Sequence, residues 1–320
     1  MEHHTEYNPH NFDFSISLFL RGAFAVAVNA FVLISGYFGI NFKWYRLLKL
    51  DMQAIFYSVL LLVVSIGIGW HVFNLSRDFL LFFPILSKQY WFITCYAVLY
   101  IIAPLLNQWA ASMDKALYKR LLILGAAIIY LWPTISYLFN AGQFINDSGY
   151  GIINFAYLYM LGYYLRHHHV DRASVVRYWG GYIFVSALLF VLQYSLSYVL
   201  GFEFTSWISY NTVFILVGAV CLFLAFKNMN FQSNSVNMLA KPCLAVYLIH
   251  LHPYVWSNFC NNINVQDYYG VSYILLILLL PMLVYLLCAG IEFFRMLIMQ
   301  NFEEYVANFM INMCANWRKK

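Results

Sequence analysis

Stretches without Asp, Glu, Lys or Arg recur along the chain, divided by short charged interludes. Nine such runs are present: Gly22–Phe42, Met52–Ser76, Gln89–Met113, Leu121–Asn146, Ser148–Leu165, Tyr178–Phe202, Phe204–Phe226, Pro242–Gln266 and Tyr268–Ile291. A hydrocarbon core about 30 Å thick takes roughly 20 apolar residues per helix, and Ser148–Leu165 is the short one. The runs are continuously apolar rather than alternating, which predicts helices and not barrel strands. Asn258, Asn261, Asn262 and Asn264 make the second half of the eighth run polar. The predicted fold class is therefore all-α, a polytopic membrane helix bundle of about nine transmembrane helices over residues 1–291. In the tail, 292–320, Phe294, Leu297, Ile298, Phe302, Tyr305, Val306, Phe309 and Met313 recur at helical spacing. That pattern predicts an amphipathic interfacial helix.

Composition agrees. Of 320 residues 63% are hydrophobic and only 10% charged, against roughly 25% charged in soluble domains. Too few charged side chains remain to coat a soluble globule, which excludes a soluble enzyme, a disordered chain and a nucleic-acid module. The net charge of +5 resolves into an orientation once it is mapped. Basic residues alternate from loop to loop, and the positive-inside rule assigns 15 of the 18 to the cytoplasm, leaving Arg21, Arg77 and Lys88 outside. The C-terminus is then cytoplasmic. Nine spans put the N-terminus outside, so either the chain starts there or a further helix is expected ahead of it. The polar start has no cleavable signal pattern. Six scattered cysteines without C-x-x-C spacing read as small buried hydrophobes.

Three segments are more specific than hydropathy: Asn29-Ala-Phe-Val-Leu-Ile-Ser-Gly-Tyr-Phe38, Lys88-Gln-Tyr-Trp-Phe-Ile-Thr-Cys-Tyr96 closing at Tyr100-Ile-Ile-Ala-Pro-Leu-Leu-Asn107, and Val246-Tyr-Leu-Ile-His-Leu-His-Pro253. Together, and in this order, they resemble the acyltransferase 3 family of bacterial integral-membrane acyltransferases, in its surface-polysaccharide branch. The resemblance covers essentially the whole chain. It implies an enzyme of the bacterial cytoplasmic membrane that moves an acyl group, usually acetyl, from cytoplasmic acyl-CoA to a hydroxyl of a sugar or polysaccharide. The expected partners are acyl-CoA, a saccharide acceptor and the lipid bilayer, with no nucleic acid, no metal and no bound cofactor. The family also implies a first helix bearing an Arg and a His, the His as catalytic base or acyl relay. No such helix is found in this sequence, and His3 or His4 is the expected remnant of that His.

Acyl transfer to an alcohol needs a proton acceptor, donors for the developing oxyanion, and cations for the CoA phosphates. His250 is a further catalytic candidate, or alternatively a structural hydrogen bond between helices; His252 is the weaker of the two. His167-His-His169 reads as a solvated basic loop rather than a metal run. The family implies a basic pair after the first motif, matched here by Arg46 and Lys49 beside Lys43; alternatively these are an ordinary positive-inside cluster. Ser35 and Gly36 either allow close helix packing or open a polar channel with Tyr37 lining it. Trp91, Tyr96, Asn107 and Tyr247 are channel or acceptor candidates, and Arg21 an acidic-sugar contact or a snorkelling anchor. A lipid-linked saccharide transporter or flippase is the competing class, although no half-to-half similarity is visible. A polymerase would carry a large outer loop, and none is present.

Overall fold

A computed structural model describes residues 12–170, 173–260 and 268–317. The helices are α1 (Phe12–Phe24), α2 (Val26–Phe38), α3 (Trp44–Gly67), α4 (Leu75–Asp78), α5 (Trp91–Ser112), α6 (Lys115–Ala126), α7 (Trp132–Phe139), α8 (Ile152–His167), α9 (Val175–Leu200), α10 (Val213–Lys227), α11 (Asn234–Ala240), α12 (Cys243–His250), α13 (Pro253–Val255) and α14 (Val271–Trp317). No strand occurs among the described residues. Seven segments there are long and apolar enough to cross a membrane: Phe14–Phe38, Trp44–Gly67, Trp91–Ser112, Lys115–Phe139, Val175–Leu200, Ser206–Lys227 and Val271–Met299. The chain is a multi-pass helical membrane protein. Phe24, Val63, Leu105 and Leu297 are more than half exposed, as lipid-facing side chains are.

Two of the nine predicted spans take a different form. Ser148–Leu165 becomes α8, 16 residues long, or about 24 Å at 1.5 Å per residue, with Asn154, Phe155, Leu158, Tyr159 and Gly162 buried. The eighth run is broken rather than continuous. α12 stops at His250, His252 is extended (φ −61°, ψ 133°), and Pro253 restarts the helix, because a residue before proline is driven out of the α region. The last helix also differs in extent, running unbroken for 47 residues through the expected amphipathic tail.

The chain forms two compact units. One holds the described residues up to Asn41 together with Val98–Phe231; the other holds Phe42–Ala97 and the described residues from Gln232 onward. In the first unit α2 packs against α8 and α10, and α9 against α1 and α10. The α2–α8 crossing is set by glycine. A Cβ on Gly36 would sit 2.0 Å from the Tyr159 carbonyl oxygen, and one on Gly162 would sit 2.3 Å from that of Leu33. α6 enters a π-turn at Ala127–Leu131 ahead of Pro133, where proline cannot donate to the ladder. Thr134 Oγ1 donates to the Tyr130 carbonyl at 2.7 Å there. In the second unit α3, α12, α13 and α14 pack together, around Ala54, Tyr57, Tyr90, Ile93, Leu248 and Cys288.

Candidate active site

At the start of α3, in the second unit, an open cavity of about 470 Å³ is lined by Arg46, Lys49, Leu50, Gln53, Lys241, Leu244, Glu292, Arg295, Met296 and Glu303. Four of these are cations and two are carboxylates. Helical spacing accounts for Arg46, Lys49, Leu50 and Gln53, which recur every three or four residues along one face of α3. Lys43 precedes α3 and does not line the cavity.

One wall is a buried ionic cluster. Arg295 Nε and Nη2 donate to the two carboxylate oxygens of Glu292 at 2.7 and 2.8 Å, and Nη1 donates to Glu303. The Tyr57 hydroxyl (2.5 Å) and Gln53 Nε2 (3.1 Å) also donate to Glu292. Glu292, Arg295 and Glu303 are 3, 7 and 7% exposed. A bidentate arrangement with extra donors is what makes burial of such charges tolerable. The other cations of the lining are placed differently. Lys49 reaches Glu304 at 3.1 Å, while Arg46 and Lys241 have no acidic partner among the described residues. The result is a recess with surplus positive charge, suited to an anion.

Further along the same unit, Phe92 gathers the aromatic candidates. Its ring stacks on Tyr96 (6.0 Å), meets Tyr247 edge-on (5.8 Å) and lies 5.9 Å from Trp91. The Phe92 N–H donates to the Tyr247 hydroxyl at 3.3 Å. His250 is committed within its own helix, its Nδ1 lying 2.5 Å from the Val246 carbonyl oxygen. Beyond the end of α3, the covered carboxylate of Asp78 accepts from the Asn74 N–H at 2.7 Å, from His71 Nε2 at 2.9 Å and from the Tyr254 hydroxyl. His71 and Tyr254 stack at 3.9 Å. Burial pushes the Asp78 pKa up, but these donors outweigh it and hold the carboxyl below its usual range.

In the first unit the candidate residues serve backbone. Ser35 Oγ donates to the Phe31 carbonyl at 3.1 Å. Arg166 Nη1 donates to the Tyr37 and Phe38 carbonyls at 3.1 and 2.9 Å, closing the end of α2. Asn107 donates to the Ile40 carbonyl at 3.2 Å and accepts from the Tyr159 hydroxyl at 2.7 Å; that hydroxyl in turn accepts from the Ile40 N–H at 2.8 Å. The Tyr37 ring carries Arg166 and Lys227 within about 6 Å of its centroid and packs on Phe223. Arg21 is ion-paired with Glu203. The His167 ring packs tilted on Tyr163 and that of His168 on Tyr164; no cluster able to hold a metal occurs among the described residues. His3 and His4 lie outside the described residues.

The acyltransferase 3 family model, an acyltransferase domain, matches residues 1–299. The chain belongs to this family. As a member of the acyltransferase 3 family it is a membrane-bound acyltransferase, and the match extends over both units. No curated protein and no solved structure matched the chain.

Sequence reasoning reached Arg46 and Lys49 but missed Lys241, Glu292, Arg295 and Glu303, which come from α14 and the turn before α12. One signal was available. Glu292 and Arg295 form an i, i+3 pair bounding the last apolar run, where charges are rare and costly.

Proposed function

We propose that this membrane acyltransferase takes its acyl group, acetyl foremost, from acyl-CoA and delivers it to a hydroxyl of a cell-surface saccharide. The cavity at the start of α3 supports the donor half of this reading. CoA presents several phosphates, and Arg46, Lys49 and Lys241 offer cations beyond what the nearby carboxylates consume. Arg46 supplies a planar fork for two phosphate oxygens, and the lysines act as point charges. Glu292 and Glu303, both engaged by Arg295, leave the anion facing the cationic wall. The basic end of α3 is the cytoplasmic one under the positive-inside assignment, where acyl-CoA is made, in the inner membrane of a bacterium. The Trp91–Phe92–Tyr96–Tyr247 cluster has the flat rings and hydroxyls that sugars bind.

The test is CoA affinity measured by calorimetry on protein in lipid nanodiscs. Arg46→Ala is expected to weaken CoA binding roughly 10-fold, the loss of one charge-assisted phosphate contact. Dephospho-CoA should bind more weakly than CoA, and added salt should weaken both. Unchanged affinity in Arg46→Ala and in a Lys49→Ala, Lys241→Ala double variant would remove the cavity from donor binding.

A further inference from the structure

The stretch that follows α3 turns its side chains the wrong way round for water. Val72, Phe73, Leu75, Phe79, Leu80 and Leu86 are all more than half exposed, Val72 and Leu86 at 86 and 83%. Asp78, between them, has no exposed surface, and its carboxylate takes the Asn74 N–H, His71 Nε2 and the Tyr254 hydroxyl. A connection bathed in water buries apolar groups and leaves carboxylates outside. Contiguous exposed apolar surface marks a contact with something else.

Position and charge indicate what covers it. α3 has 24 residues, about 36 Å at 1.5 Å per residue, which exceeds a hydrocarbon core of about 30 Å. The stretch beyond Gly67 therefore starts at the membrane face opposite the cation-lined cavity. Its own helical pieces, α4 and a 3₁₀ turn at Phe79–Phe82, have four residues each, too short to cross. Its apolar surface continues that of the end of α3, where Val63, Val64, Ile66 and Ile68 are exposed, and Trp70 is exposed at the junction. Tryptophan favours the depth where lipid meets water. The backbone is satisfied from within, as a setting poor in water requires. The Trp70 and His71 N–H groups donate to the Ser65 carbonyl at 2.8 and 3.1 Å, that of Phe83 to Leu80 at 3.1 Å and that of Ser87 to Phe83 at 2.9 Å. Two cations accompany the apolar patch. Arg77 and Lys88 are exposed, and neither has an acidic partner among the described residues. Long basic side chains beside apolar surface suit a layer of lipid phosphates.

We propose that residues 70–86 are seated in the lipid leaflet at this end of α3, their apolar side chains among the acyl chains and Arg77 and Lys88 at the level of the phosphates. Under the positive-inside assignment this is the outer leaflet. Tyr254 of α13, through Asp78, ties the seated stretch to the rest of the second unit. The proposal does not depend on which acyl donor the cavity takes.

The experiment places a bimane label at Val72→Cys, Leu75→Cys or Leu86→Cys, in a chain whose native cysteines are alanine, in nanodiscs of phosphatidylglycerol and phosphatidylcholine. Phospholipid carrying a nitroxide high on its acyl chain is expected to remove most of the emission at each position, and iodide in the water to remove little. Quenching by iodide rather than by lipid puts the stretch in water and overturns the proposal. Quenching by neither puts it under protein, a second copy or another chain, and overturns it equally. Should the cysteine-free chain not fold, the unaltered protein decides, in nanodiscs with a phospholipid bearing a diazirine on its acyl chain. Mass spectrometry is then expected to find lipid adducts on the peptide of residues 70–86. Their absence, alongside adducts on the exposed face of α14, overturns the seat.

Discussion

The end of α2 and the start of α3 are both rich in polar side chains, yet they use them in opposite ways. Around the end of α2, Arg166, Asn107, Tyr159 and Tyr100 bond the carbonyls or amides of Tyr37, Phe38, Ile40 and Asn41. A helix end leaves four carbonyls without intrahelical partners, and in a membrane protein those groups must be satisfied internally. The donors there are consumed by backbone. At the start of α3 the carbonyls need nothing of the kind, and the side chains instead face a cavity with more cations than carboxylates to match them. Polar residues matched to backbone report on stability; those in excess of their partners report on ligand.

That contrast is open to attack at its most charged point. Arg295→Met leaves Glu292 and Glu303 buried without their cation, and stability is expected to fall by about 3–5 kcal/mol. Removing both buried charges with Glu292→Gln and Glu303→Gln in the same chain should recover most of that loss. Denaturation of detergent-solubilised protein measures both. If the single variant is as stable as the triple one, the cluster is not the self-contained wall that leaves Arg46 and Lys241 for an anion.

A smaller effect is expected in the first unit, where packing and not charge is at stake. Gly36→Ala adds a methyl group 2.0 Å from the Tyr159 carbonyl oxygen. Backbone cannot yield as a flexible side chain does, so α2 and α8 must separate, at a cost of about 1–3 kcal/mol. A melting temperature unchanged by this substitution would return Ser35-Gly36-Tyr37 to the channel reading.

How far the sequence anticipated these features depends on the range of the forces involved. Membrane spans are legible because lipid imposes a composition on each helix separately, and each of the seven long helices overlaps one of the expected runs, with ends shifted by up to nine residues, from Ser76 to Gly67. Asn-rich polarity marked the eighth run as irregular, but which way the chain would turn there depends on α3 and α14. The cavity was half legible. Arg46 and Lys49 lie on one helix face and follow a motif, whereas Lys241 and Arg295 arrive from distant parts of the chain and no local pattern ties them to α3. The sequence ranks His252 below His250, but it does not show which ring nitrogen of each has a partner. His250 finds the carbonyl of Val246 within its own helix; His252 finds the carbonyl of Ser58, 194 residues away.

Beyond the other end of α3 lies a cluster that is charged but fully partnered, and it provides the finest test. Asp78 accepts from Asn74, His71 and Tyr254, and its carboxyl is held below the usual range. A carboxyl whose folded-state pKa is depressed contributes stability that is fully present above its unfolded value, about pH 4. That contribution is lost as pH falls through the lower, folded value. The wild type should therefore lose stability on acidification below about pH 4, and Asp78→Asn should flatten that limb. At pH 7 the variant should be less stable by about 1–2 kcal/mol, the loss of charge-assisted hydrogen bonds partly replaced by amide ones. CoA affinity should be untouched, since no residue of this cluster lines the cavity. A shift in CoA affinity without any change in the acid limb would mean that Asp78 serves a ligand, and the division between partnered and surplus polar groups would then fail within a single unit.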